Sequence, residues 1–188
     1  MIEIKPLTEL KAEDVYRLIV GYVSDAKYAV RRIATEHGWT FELQLVELLP
    51  PYRKRYDHLN AGSITQYQEM VAKGFSFGAF EDGQCQGLAI ATAEEWNKTY
   101  WVHELHVAQT HLRRGIGRQL IDALTTKGRE AGLRTLLCET QNTDVPAIRF
   151  YQALGFTLEG LDLSHYRNTD YPDGEIALSL KKPLTPTI

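Results

Sequence analysis

The period of the apolar positions changes repeatedly along the chain, and the changes outline its elements. Ile2 and Ile4 alternate with polar neighbours and stop at Pro6, which reads as a first strand. Thr8 can cap a helix whose stripe is Leu10, Val15, Leu18, Ile19 and Val23, and residues 26–36, ending at Gly38, read as a second helix. Phe41, Leu43 and Leu45 alternate with Glu42 and Gln44 in a strand that Pro50-Pro51 breaks. Ser63 with Gln66 three residues later forms a capping box, and Ile64, Tyr67, Met70 and Val71 are the inner face of the helix it opens.

Farther on, residues 75–80, a turn at Asp82-Gly83 and residues 85–93 read as a hairpin, and a turn at Asn97-Lys98 leads into a strand over 99–107. Ile116, Leu120, Ile121 and Leu124 give a helix that ends before Gly132, followed by a strand over 133–140. Asp144 caps a last helix with Pro146 in its first turn, Ile148, Tyr151 and Leu154 inside, and Gly155 at its end; residues 156–163 and 175–180 are two closing strands. The pattern predicts an α/β (α+β) protein with a mixed, mostly antiparallel central sheet and helices on both faces.

Between the strand over 99–107 and the helix from Ile116 lies Arg113-Arg114-Gly115-Ile116-Gly117-Arg118. Two glycines let the backbone turn tightly, and the unpaired first N–H groups of the helix face an anion with partial positive charge. The turn lacks the Lys-Ser/Thr ending of a P-loop, and no Gly-x-Gly-x-x-Gly follows the first strand. A pyrophosphate held by backbone amides is what remains, as in coenzyme A.

Composition narrows the classes. With 188 residues and a net charge of -3, the chain suits one compact domain over 1–188 and not a protein that neutralises nucleic-acid phosphates over a broad face. Cys85 and Cys138 fall in strands without metal-ligand spacing, which fits a reducing compartment, and no apolar run has membrane-spanning length. A soluble cytoplasmic protein is expected. The basic-aromatic string Tyr52-Arg53-Lys54-Arg55-Tyr56 is open to three readings: a homodimer edge, a phosphate contact or a solvated loop.

With Ala147-Ile148-Arg149-Phe150-Tyr151-Gln152-Ala153-Leu154-Gly155-Phe156 following the glycine turn, the chain resembles the GNAT superfamily of N-acetyltransferases, most closely over residues 75–160. Within it, Glu139-Thr140-Gln141-Asn142 and Gly160-Leu161-Asp162-Leu163-Ser164-His165-Tyr166 are similar to enzymes of the streptothricin acetyltransferase type. The resemblance implies an acetyl-CoA core over 75–160. In it, the backbone of Leu105 and Val107 pairs with the pantetheine arm, and amides of Arg113, Arg114, Gly115, Ile116, Gly117 and Arg118 hold the pyrophosphate. Tyr151 corresponds to the tyrosine that protonates the departing thiolate. Asp144 replaces an asparagine that bonds the pantetheine arm in many members; it serves as a helix cap, and Asn142 can supply the contact. Leu112 stands where the family pattern has Arg or Gln, which puts the binding on main-chain amides.

An alkyl amine with a pKa of about 10.4 is neutral in about one molecule per thousand at neutral pH, so the site must take up a proton. Glu104 is the first candidate, sharing a face with His106, and His103 the second; strand alternation sends His103 and Glu104 to opposite faces. His103-Glu104-Leu105-His106 on a strand is poor metal geometry, and no metal is called for. Glu94, Glu95, Glu104, Asp162 and Asp173 suit a small cationic amine of the streptothricin or polyamine kind. The alternatives are a protein N-acetyltransferase and an acetyl-CoA-binding regulator without catalysis.

Overall fold

A computed structural model describes residues 1–57 and 59–184, and the chain divides into two compact units. The first comprises Met1–Val20, Tyr56–Cys138 and the segment from Lys182 onward; the second comprises Gly21–Arg55 and Glu139–Lys181.

In the first unit, β1 (Glu3–Pro6), β4 (Phe77–Glu81), β5 (Gln84–Glu94) and β6 (Thr99–Val107) lie side by side, each pair antiparallel. β6 then pairs in parallel with the start of β7 (Thr135–Gln141), from Thr99↔Thr135 to Val102↔Cys138. The sheet is therefore mixed and mostly antiparallel, as the hydrophobic pattern predicts. The strand over 99–107 matches its expected bounds, its start set by the turn at Asn97-Lys98.

Helices cover both faces of this sheet. On one face α1 (Ala12–Leu18) and α2 (Ala61–Ala72) bury Val15, Leu18, Ile64 and Val71 against Leu88 and Ile90 of β5. On the other lies α3 (Ile116–Glu130), whose buried stripe is Ile116, Leu120, Ile121 and Leu124. Gly128 lets α3 approach closely: a Cβ there would fall 2.5 Å from Leu184 Cδ1 and 2.9 Å from the ring of fully buried Tyr100. Each fully buried leucine or isoleucine in these layers is worth about 1.5–3 kcal/mol relative to exposure.

Two helix starts differ from the sequence reading. α1 begins at Ala12 without a side-chain cap, so Thr8 does not open it. α2 is capped by Asn60, whose Oδ1 accepts from the amides of Gly62 at 2.8 Å and Ser63 at 3.2 Å, so Ser63 lies inside the first turn. Asparagine is as good a cap as serine, and it stands one turn earlier.

The second unit holds the largest correction. Residues 26–36 are not a helix: β2 (Gly21–Thr35) pairs antiparallel with β3 (Gly38–Arg55) along almost its whole length. Tyr28, Val30, Ile33 and Thr35 favour a strand, and Ser24, Ala26 and Val30 are buried at even positions, a period of two that long-range pairing selects over local helix propensity. Pro50-Pro51 does not end β3. The register jumps from Ser24↔Tyr52 to Ala26↔Glu47, so residues 48–51 bulge out of the ladder where no N–H is required. The string from Tyr52 to Arg55 accordingly belongs to β3, not to a solvated loop, and closes the ladder against Gly21–Ser24. The unit is completed by the last residues of β7, α4 (Val145–Ala153), and β8 (Thr157–Asp162) antiparallel to β9 (Ala177–Pro183), of which Ala177 to Lys181 belong here.

Candidate active site

In the first unit two features adjoin each other along the chain: an irregular stretch of β6 and the turn that follows it. Val102 pairs with Ala91 and Glu104 with Ile90, so His103 is an extra residue opposite the β5 ladder. Paired residues share a face, which places Trp101, Glu104 and His106 together with Thr92, Ile90 and Leu88. His103 joins that same face, because its Nε2 lies 2.8 Å from Thr92 Oγ1 and its ring stacks on Trp101 at 5.3 Å. The expectation that His103 and Glu104 point to opposite faces is therefore overturned; a bulge suspends strict alternation.

Glu104 is held on both oxygens. Tyr67 of α2 donates to Oε1 at 2.5 Å, and His106 Nε2 lies 2.7 Å from Oε2. Its side chain keeps 20% of its surface and that of His106 18%. Burial pushes the carboxyl up, but the hydrogen bond and charge of His106, the Tyr67 hydroxyl and His103 together hold it below the usual carboxylate range. Burial and the Glu104 charge drive the Tyr67 phenol well above its ordinary value, so it stays a donor. His103 is lowered, by burial first and then by Lys73, against the pull of Glu104 and Glu94, and is neutral at pH 7. The edge of the Tyr56 ring meets His106 at 6.0 Å. Tyr67, which the hydrophobic pattern places only on a helix's inner face, thus joins the cluster around Glu104.

Beyond Val102 the ladder with β7 stops, and among the described residues Leu105 and Val107 pair with β5 alone, opposite Ala89 and Gly87. The chain then enters a short 3-10 turn, Gln109–His111. Arg113 (φ 60°) and Gly115 (φ 80°) are both left-handed, and Gly115 is the N-cap of α3, its carbonyl accepting from Gln119 at 3.1 Å. No side chain caps the helix, so the amides of Ile116, Gly117 and Arg118 are the open donors of its first turn. Arg113, Arg114 and Arg118 are exposed around it, and Leu112 is 54% exposed. The guanidinium of Arg114 lies 3.4 Å from Glu81, so the backbone of that residue is its freer contribution.

The second unit carries the other expected residues. Tyr151 is buried on α4 between Phe150 and Phe156, with ring centroids 5.3 and 5.2 Å away. Asp144 caps α4, Oδ1 accepting from Ala147 N at 3.0 Å, as expected. Asn142 is engaged by backbone: Nδ2 donates to Tyr28 O and Oδ1 accepts from Ile176 N, each at 2.8 Å. The two segments singled out in sequence, around Glu139 and around Tyr166, meet. The Tyr166 hydroxyl donates to Glu139 and accepts from Gln141 Nε2 at 3.0 Å. Close by in this unit, Glu175 takes the Tyr52 hydroxyl at 3.0 Å and Lys54 Nζ at 2.5 Å, and burial followed by that carboxylate pushes the Tyr52 phenol up to about 12. Glu175 is not singled out by the sequence because Tyr52 and Lys54, which it joins, lie more than a hundred residues away.

Comparison with known proteins fits this arrangement. A family model described as the acetyltransferase (GNAT) family matches residues 39–156. The streptothricin acetyltransferase of Streptomyces lavendulae is 35% identical over 102 residues, 54% of this chain and 53% of that enzyme, so the match spans about half its length. The streptothricin acetyltransferase of Escherichia coli is 31% identical over 138 residues, 73% of this chain and 74% of that enzyme. The crystal structure of nourseothricin acetyltransferase superposes with a TM-score of 0.74 at 29% identity, covering 98% of this chain and 99% of that one.

Proposed function

The chain belongs to the GNAT acetyltransferase family, and on that premise we propose that it moves an acetyl group from acetyl-CoA to a primary amine of a small cationic antibiotic of the streptothricin type. The observation that carries the reading is the left-handed turn at Arg113 and Gly115, which opens α3 with uncapped amides soon after β6, whose ladder with β7 runs to Val102 and Cys138. Relatives named for streptothricin support the acceptor class, and the carboxylates Glu139 and Glu175, hydrogen-bonded to the Tyr166 and Tyr52 phenols, supply acidic groups that suit a cation. Residues 1–188 act as one acetyltransferase domain, with 75–160 as the cofactor core, in the cytoplasm.

The chemistry is a direct attack. The nitrogen–carbon bond forms as the carbon–sulfur bond breaks, with backbone amides polarising the thioester carbonyl. Glu104, ionised at neutral pH, draws the ammonium and accepts its proton directly or through water; His103, neutral on the same face, is the second acceptor. Main-chain groups of Leu105 and Val107 hold the pantetheine arm, and amides from Arg113 to Arg118 hold the pyrophosphate. Tyr151 returns a proton to the leaving thiolate. Asn142 and Asp144 shape the turn between β7 and α4 through the hydrogen bonds described above.

Release of free CoA, followed with streptothricin, polyamines and a basic peptide as acceptors, tests the proposal. Turnover is expected with streptothricin, and Tyr151→Phe should lower kcat by about a hundredfold while leaving KM for acetyl-CoA unchanged. Silence with every acceptor, alongside calorimetric binding of acetyl-CoA, would leave the regulator reading, which rests on Leu112 standing where the family has Arg or Gln and on Asp144 standing where it has Asn.

A further inference from the structure

The turn that opens α3 contains a residue that does not suit its backbone. Arg113 sits at φ 60°, a left-handed conformation that glycine adopts freely and a residue with a Cβ resists. The residues on its two sides are tied to one carboxylate. His111 Nε2 lies 2.9 Å from Glu81 Oε2, and Arg114 lies 3.4 Å from Glu81 Oε1. Thr110 Oγ1 lies 2.8 Å from His111 Nδ1 and steadies the ring from its other side, and because a carboxylate only accepts, it is the Nε2–H that donates to Glu81.

Glu81 itself stands on a firm base. It is the last residue of β4, paired with Gln84 across a turn made by left-handed Asp82 and Gly83. A carboxylate so placed can pull on both ends of the segment 111–114 while its own backbone stays in the sheet ladder.

We infer that Glu81 is a positioning residue: by bridging His111 and Arg114 it holds Arg113 left-handed, and so keeps the amides after it aimed at the pyrophosphate of acetyl-CoA. This rests on the pyrophosphate assignment made above and adds to it a residue 30 or more positions distant in sequence. Glu81 touches no reacting atom. Its influence should appear in how well the diphosphate is gripped and not in the chemical step.

The measurement is steady-state kinetics with two donors, acetyl-CoA and S-acetylpantetheine, which carries the same thioester and no diphosphate. Glu81→Ala should raise KM for acetyl-CoA about tenfold at unchanged kcat, leaving both constants for S-acetylpantetheine as they were. Arg113→Gly, which removes the backbone strain, should shrink the effect of Glu81→Ala to less than about threefold. A Glu81→Ala protein that keeps its preference for acetyl-CoA, or that loses both donors equally, would overturn the inference while leaving the pyrophosphate assignment standing. Equal use of the two donors by the unaltered protein would overturn the assignment and the inference with it.

Discussion

At the scale of single residues, Glu104 draws together a strand neighbour, a helix phenol and a buried setting. Its carboxyl is lowered in the folded protein, so the charge stabilises the fold above the unfolded value of about 4.3 and that contribution fades as pH falls through the folded value. Glu104→Gln should therefore melt lower than the unaltered protein at pH 7, by an amount corresponding to about 1–3 kcal/mol, and the gap should close in acid. Melting curves from pH 7 to pH 3 decide it; a gap that stays constant would mean that the carboxylate's charge is immaterial. The residue types of this site were legible in sequence as His103, Glu104 and His106. Their common face was not, since nothing within β6 announces that β5 is one residue shorter there. Tyr67 was legible as an inward position of a helix, but its reach to a carboxylate 37 residues away was not.

At the scale of elements, local punctuation separates what was readable from what was not. The Asn97-Lys98 turn opens 99–107, and glycines bracket α3; both elements came out where the pattern put them. Residues 26–36 carry alanines, arginines and a lysine that suit a helix, and only the partner strand β3 reveals them as β2. Asn60 shows the same limit on a smaller scale, since the Ser63–Gln66 pattern points to a start one turn later than the observed cap. Replacing it by alanine should cost about 1 kcal/mol, and serine or aspartate should restore most of that, as read by thermal melting. Alanine at Ser63, which sits inside the helix, should cost less than alanine at Asn60.

At the scale of the whole molecule, the donor should act as a folding ligand. Acetyl-CoA at about a hundred times its dissociation constant adds about 2.7 kcal/mol to stability, enough to raise the melting temperature by roughly 5–10 °C. Differential scanning fluorimetry with acetyl-CoA and with S-acetylpantetheine would register it, and no shift with either would contradict cofactor binding. The net charge of -3 predicts none of this, because the positive character of the turn is local to Arg113, Arg114 and Arg118.

In an unbroken strand, adjacent residues are strangers, each serving a different side of the sheet. The extra residue in β6 makes neighbours of an imidazole and a carboxylate, so the acid–base inventory of that face depends on how many residues the strand holds as well as on which ones. Chemistry written in this way changes by insertion and deletion. Loss of His103 would bring Val102 and Glu104 into an ordinary ladder with Ala91 and Ile90, a change quiet to the core and loud to the site. Relatives can then part company in proton transfer while every buried side chain stays the same.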